Sequence, residues 1–223
     1  MPGTAPDETE RADAARYALL RRLAPAMRHH LVVNLQPITM VNEVMDHRLR
    51  ASQPDLAQVQ AGAHKIHGFA KAALHSCLDV VTWLAPDQPA AIDVEEGVRE
   101  CVGLLATSLA FAGCVLRSDV QGCDRRVNRY AVRHVLTAAL VHCTDAAKTP
   151  SELHVTAVAR AEGLQVTLAA GGPAANGGDS IRPAYRPLTW DDVEALAQAD
   201  DVALARTPDG LRLTFPWILP QRA

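Results

Sequence analysis

Two apolar seams in the first third of the chain decide what it can fold into. Leu20, Ala24, Met27, Leu31, Asn34, Ile38, Val41 and Met45 follow one another by alternating steps of four and three residues. Leu56, Val59, Ala63, Ile66, Ala70, Ala73, Cys77, Val80 and Leu84 repeat the rhythm. Seams of this kind lie along one side of an α-helix and are stable only when a partner helix covers them. Ala51-Ser52-Gln53-Pro54-Asp55 breaks the pattern, with Ser52 or Asp55 placed to cap the second helix. The expectation is a long antiparallel hairpin, from about Arg11 to residue 86. One hairpin leaves an apolar face bare, and two pair naturally into a four-helix bundle, so a homodimer is expected.

The texture changes after Pro86-Asp87-Gln88-Pro89. Ile92-Asp93-Val94 reads as a short strand entering an apolar helix from about Glu95 to Ala112. Val115 to Val120 reads as a strand, and Asn128 to Ala147 as a helix. Leu153 to Ala159 and Leu164 to Ala170 alternate as a strand hairpin around Ala161-Glu162-Gly163. A Gly/Pro/Asn-rich loop, Gly171 to Pro187, leads to a helix from Trp190 to Ala199. A strand near Val202-Ala203-Leu204, a turn at Pro208-Asp209-Gly210 and a strand from Leu211 to Phe215 complete the chain. The fold class is therefore α+β: the helical hairpin, then a sheet with helices on one face. The divisions are a disordered tail at 1–10, the hairpin at 11–86 and an α/β domain at 90–220.

Composition removes several function classes. A formal charge of -3 with no basic block or stripe leaves no electrostatic footprint for nucleic acid. Five cysteines, an odd number with no C-x-x-C, indicate neither a disulfide framework nor a zinc knuckle. Reduced, mostly buried thiols are expected. Met1 to Glu10 is acidic without an apolar core, unlike a signal peptide. The most apolar stretch, Cys101 to Leu116, is too short for a membrane span. A cytoplasmic protein with no membrane partner follows as an expectation. Arginine outnumbers lysine and alanine is abundant, a composition that suits a high-GC bacterial genome. His64, His67, Lys71 and His75 form a polar stripe on the second helix; a solvated face is expected there, since no carboxylate or cysteine accompanies the histidines.

The chemistry-bearing segment is His29-His30-Leu31-Val32-Val33-Asn34-Leu35-Gln36-Pro37-Ile38. If Met27, Asn34 and Val41 share one seam position and Leu31, Ile38 and Met45 the other, His29 points out from the bundle and His30 lies beside the seam. An exposed, deprotonated imidazole nitrogen is what a phosphoacceptor needs. Val32, Val33 and Gln36 fall on the same outward face, where two valines beside a histidine suggest a docking patch. The alternative is a different packing in which both valines are core. Pro37 removes a helical hydrogen bond, so the helix either kinks or ends there; the seam continuing to Met45 favours a kink.

This segment resembles the phosphoacceptor box of two-component histidine kinases, in which Leu or Val, Asn or Pro, and Leu follow the histidine at two, five and six residues. The order of elements from about Arg16 to Pro216 is similar to that kinase core: a dimerisation and phosphotransfer hairpin followed by a GHKL-type ATPase domain. The resemblance makes His29 the phosphoacceptor, with His30 as second choice, and Val32, Val33 and Gln36 the receiver-docking residues. It also marks departures. The residue after the histidine is usually acidic, and here it is His30. The asparagines that hold magnesium and phosphates fall on Ala138 and His142, and imidazole is a poor magnesium ligand. The aspartate that reads adenine falls on Ala170, although Gly172 keeps the close-approach glycine. Only Asn176-Gly177-Gly178-Asp179 offers itself as a second glycine box. The resemblance thus implies a degenerate pocket with no cofactor of its own, magnesium being supplied by a partner receiver.

Three readings stand in order. The first is a histidine phosphotransferase passing phosphate between receiver aspartates through His29, a relay role that suits a hairpin with no sensor domain before it. The second is a pseudokinase scaffold that docks a partner kinase or a response-regulator receiver without carrying phosphate. The third is a divergent active kinase.

Overall fold

A computed structural model describes residues 7–84, 90–111, 113–147, 151–173 and 185–218. By their contacts the residues group into two compact units, Pro25–Asp87 and the combination of Met1–Ala24 with Gln88–Ala223. The grouping differs from divisions at 11–86 and 90–220, because the first turns of the first helix pack with the α/β elements.

Helix α1 spans Glu8–Leu49 and contains both Pro25 and Pro37. Pro37 therefore does not end the helix. The start is fixed by Asp7, whose carboxylate accepts from the Glu10 N–H at 2.7 Å while Glu10 reaches back to the Asp7 N–H at 3.3 Å, a reciprocal cap. Helix α2 spans Leu56–Leu84. Asp55 rather than Ser52 is its cap, accepting from the Gln58 N–H at 3.1 Å.

Within the hairpin unit, Leu31, Asn34, Ile38, Val41 and Met45 of α1 are half-buried, as the seam predicts. In α2 only one line of the expected seam turns inward, Val59, Ile66, Ala73 and Val80. The second inward line is Gly62, Phe69, Ser76 and Trp83, whereas Ala63, Ala70, Cys77 and Leu84 are exposed. The correction has a physical reason. Burying Phe69 and Trp83 removes more apolar area from water than burying Ala70 and Leu84. Gly62 makes room as well, since a Cβ there would lie 2.6 Å from Cγ and Sδ of Met45. Asn34 fixes the register by donating to Ser76 Oγ at 2.7 Å, so the two polar seam residues satisfy each other.

The second unit is a two-layer α/β sandwich. After β1 (Ala91–Asp93) come α3 (Val94–Phe111), β2 (Val115–Asp119) and β3 (Arg126–Asn128). A helical segment follows as α4 (Arg129–Ala131), a π-helical turn (Val132–Leu136) and α5 (Thr137–Ala146). The chain continues through β4 (Ser151–Ala159), β5 (Gly163–Pro173), α6 (Trp190–Ala199), β6 (Ala203–Thr207) and β7 (Gly210–Pro216). The main sheet has the order β2-β4-β5-β7-β6, with β2 and β4 parallel and the other pairs antiparallel. Leu153, Val155, Leu164, Val166, Leu168, Leu211, Leu213 and Phe215 are buried, while Thr156, Val158 and Arg212 on the alternate face are exposed. That alternation marks a sheet covered on one side. Cys101, Leu105, Leu136, Leu140, Val193 and Leu196 supply the helical half of the core.

Expected elements recur within a few residues, and α6 begins and ends where the sequence places it. Strand β3 was not anticipated; it pairs with β1 in a separate two-stranded sheet. Among the described residues no helix is long and apolar enough to cross a membrane.

Candidate functional site

The candidate acceptor residues lie on α1. His29 is exposed and His30 half-buried, the arrangement that the seam implies for a helix facing α2. Val32 and Val33, at 47% and 50% exposed, are not taken into the hairpin core, and Gln36 is exposed beside them. Asn34 also donates to the His30 carbonyl at 3.0 Å, tying the turn that holds His29 and His30 to the residue that bonds α2. An exposed imidazole on a rigid helix with apolar neighbours can meet a second protein without prior rearrangement.

The candidate pocket positions lie in the α/β unit, and the structure treats them differently. Ala138 is 0% exposed, sealed in the core of α5. Ala170 is exposed near the end of β5, with its N–H donated to the Asp209 carbonyl at 2.8 Å. Gly172 is exposed, and a Cβ there would meet open space. Residues 176–179, the candidate second glycine box, lie outside the described residues.

His142 is committed to the protein's own backbone. Its Nδ1 lies 2.8 Å from the Leu188 carbonyl, which only accepts, so Nδ1 donates a proton to it. One turn on, Asp145 accepts from the Leu188 N–H at 2.9 Å. The two side chains, i and i+3 on α5, thus hold both polar groups of a single residue. Arg22, from the first half of α1, completes the grip with a two-pronged pair to Asp145 at 2.6 and 2.7 Å. Beside it the Trp190 ring lies 6.2 Å from the His142 ring, and the Arg206 guanidinium sits 4.2 Å over the indole. Arg206 belongs to the end of the sheet where Thr207, Gly210 and Ala169 stand in register. Arg206, Trp190 and His142 thus lie side by side, while Ala170 stays exposed.

Two carboxylates of the α/β unit are held ionised by structural pairs. Burial alone would raise the Glu100 carboxyl, but hydrogen bonds from Arg129 and Arg133 outweigh it and hold the group below its ordinary value. Asp192 behaves alike: burial opposes ionisation, and Arg186 with the Thr189 cap more than compensates. Burial pushes the Cys101 thiol up to about 12 and Cys143 to about 11, so both stay protonated. Cys101 and Cys114 are buried, while Cys77 is exposed.

Sequence reasoning missed the partners of two histidines. His134 Nδ1 lies 3.2 Å from Asp200, and His154 Nε2 lies 3.6 Å from Glu152. On the polar stripe of α2, His64 faces the Gln60 carbonyl and His75 lies 3.7 Å from Asp79. Among the described residues no three of His, Cys, Asp or Glu gather as a metal site.

No protein-family model and no curated protein matches the chain. Solved structures similar to it include the Acinetobacter baumannii histidine kinase AdeS, 14% identical over 83% of this chain and 96% of that one, with a TM-score of 0.44. A histidine kinase from Burkholderia phymatum STM815 is 13% identical over 97% and 100%, with a TM-score of 0.44. A bacterial phosphotransferase is 11% identical over 96% and 99%, with a TM-score of 0.41. Likeness at this level assigns no activity to this chain.

Proposed function

We propose that this chain is a phosphorelay protein, a homodimeric histidine phosphotransferase that exchanges a phosphoryl group with receiver-domain aspartates through His29 and does not use ATP. The observation that carries the reading is the contrast between its two sites. His29 stands exposed with Val32, Val33 and Gln36 around it, while the positions that would serve a nucleotide are a sealed alanine, an alanine without a carboxylate and a histidine spent on Leu188.

In the transfer step the lone pair of a His29 ring nitrogen attacks the phosphorus of an aspartyl phosphate. The N–P bond forms, the acyl O–P bond breaks and the carboxylate leaves with the electron pair. The proton on the other ring nitrogen passes to solvent. Such transfer needs chiefly alignment, which the helix supplies, together with a magnesium ion that arrives on the receiver.

Phosphorylated receiver domains mixed with the purified protein test the reading. Acid-labile phosphate is expected on the wild-type chain and none on His29→Ala. Transfer that survives in His29→Ala and vanishes in His30→Ala moves the acceptor by one residue. A wild-type chain that binds receivers yet never carries phosphate supports the second reading, a pseudokinase scaffold, which the presence of His30 in place of an acid favours.

A further inference from the structure

The first half of α1 does something that the acceptor face does not require. In residues 8–24, Ala12, Ala15, Ala18, Leu19 and Leu23 are buried, a stripe at helical spacing on a segment whose opposite side carries the exposed Arg11, Asp13, Ala14 and Arg21. This segment belongs to the α/β unit. Its polar contacts converge on a small area. Arg16 reaches Asp200, at the end of α6, at 3.5 Å. Tyr17 meets Tyr185 edge-on, with ring centroids 6.3 Å apart, and the Arg21 guanidinium lies 5.2 Å from the same ring. Arg22 takes Asp145 with both prongs and donates to the Arg186 carbonyl at 3.3 Å. These fasteners land on the segment that leads into α6, on the last turn of α5 and on the end of α6.

We propose that residues 8–24 are a strap: a detachable stretch of helix that holds residues 185–192 down on α5 and opens as a unit while the sheet core stays folded. Two features make it separable. Its apolar contribution is two leucines and three alanines, whereas the sheet and its own helices keep an independent core in Val155, Val166, Leu168, Leu213, Phe215, Leu140 and Leu196. Of the remaining fasteners, Arg22–Asp145 is largely buried, with side chains 14% and 9% exposed, whereas the Arg16 and Tyr17 contacts lie nearer the surface, where local opening starts. Pro25 stands immediately after the strap, inside α1, where its missing N–H removes a helical hydrogen bond. The helix is thus weakened where the strap joins the stretch that bears His29, as it is again at Pro37. Opening the strap would free Asp145 of Arg22 and leave Leu188 held by α5 alone.

Hydrogen exchange of backbone amides in the full chain tests this. In Arg22→Ala, exchange over residues 8–24 and 185–192 should speed up by about tenfold or more, while the amides of β5 and β7 keep their protection. The reversed pair, Arg22→Asp with Asp145→Arg, should restore most of the protection. Unchanged exchange over residues 8–24 in Arg22→Ala overturns the proposal. So does acceleration spread equally over β5 and β7, because the segment would then be part of one cooperative core. Should Arg22→Ala not fold, Tyr17→Ala removes a fastener from the exposed side and must show the same local pattern at smaller amplitude, or the strap is disproved.

Discussion

Arg133, 2% exposed, is among the largest fully buried side chains of the protein, and Glu100 is what makes its burial tolerable. The carboxylate takes Arg133 Nε at 2.8 Å and pairs with Arg129 as well. Two guanidinium groups on one half-buried carboxylate keep it ionised against the cost of burial. A carboxyl held below its unfolded value contributes stability that is fully present above about pH 4.3 and is lost as pH falls through the lower folded value. Glu100→Gln should therefore melt below the wild type at pH 7, with the two melting curves converging as pH drops below about 4. A constant gap across that range in thermal melts would show that the charge is not what matters. None of this network was legible in the sequence, because Glu100 and Arg133 are 33 residues apart and each reads as part of a solvated helix face. The partner of His142 and Asp145 escaped notice for a different reason: it is the backbone of Leu188, and a backbone partner leaves no signature in residue type. The outward direction of His29 was legible because it follows from spacing.

Among the elements, α2 shows the limit of periodicity. Its apolar arc is wider than one partner helix can cover. The sequence offered Val59, Ile66, Ala73 and Val80 as one line, which α1 does cover, and a second line one residue away from the Gly62, Phe69, Ser76 and Trp83 line that the hairpin uses. Spacing cannot choose between adjacent stripes, whereas side-chain volume and the close approach at Gly62 can. The stripe left over is informative. Ala63, Ala70, Cys77 and Leu84 are exposed, flanked by Leu74, Leu78 and Val81 at 61%, 55% and 55% exposure. A continuous apolar band on a water-facing helix calls for a partner, and a second hairpin supplies matching bands. The wild-type chain should sediment as a dimer at micromolar concentration, and Leu74→Glu with Leu78→Glu should sediment as a folded monomer. A monomeric wild type would remove the dimer from the proposed function, whereas a double variant that remains dimeric would place the interface elsewhere. Longer elements of the α/β unit were legible because each spans several repeats of its pattern. Strand β3, with three residues, has no repeat to read.

For the whole molecule, the question is whether an α/β unit arranged in this way still has room for a nucleotide. A nucleotide site must offer a polar group to the base, oxygen ligands to a metal and backbone near the phosphates. Here Ala170 offers the base no side-chain acceptor, and Ala138 is sealed away. His142 is hydrogen-bonded to Leu188, and Asp145, a carboxylate that would repel phosphate, is matched by Arg22. At His142 and Asp145, the polar groups are taken up by contacts that the chain makes to itself. Calorimetric titration of the purified protein with Mg-ATP should therefore give no binding heat. Micromolar affinity would mean that these internal contacts yield to nucleotide, and phosphate on His29 after incubation with ATP alone would then establish an active kinase. Silence from the wild type together with binding by Arg22→Ala would carry a different meaning: the site would persist beneath the strap, and the hold on residues 185–192 would keep nucleotide out. With both proteins silent, Arg22 is not what keeps nucleotide out, and under the proposed function the phosphoryl group on His29 would come from a receiver domain.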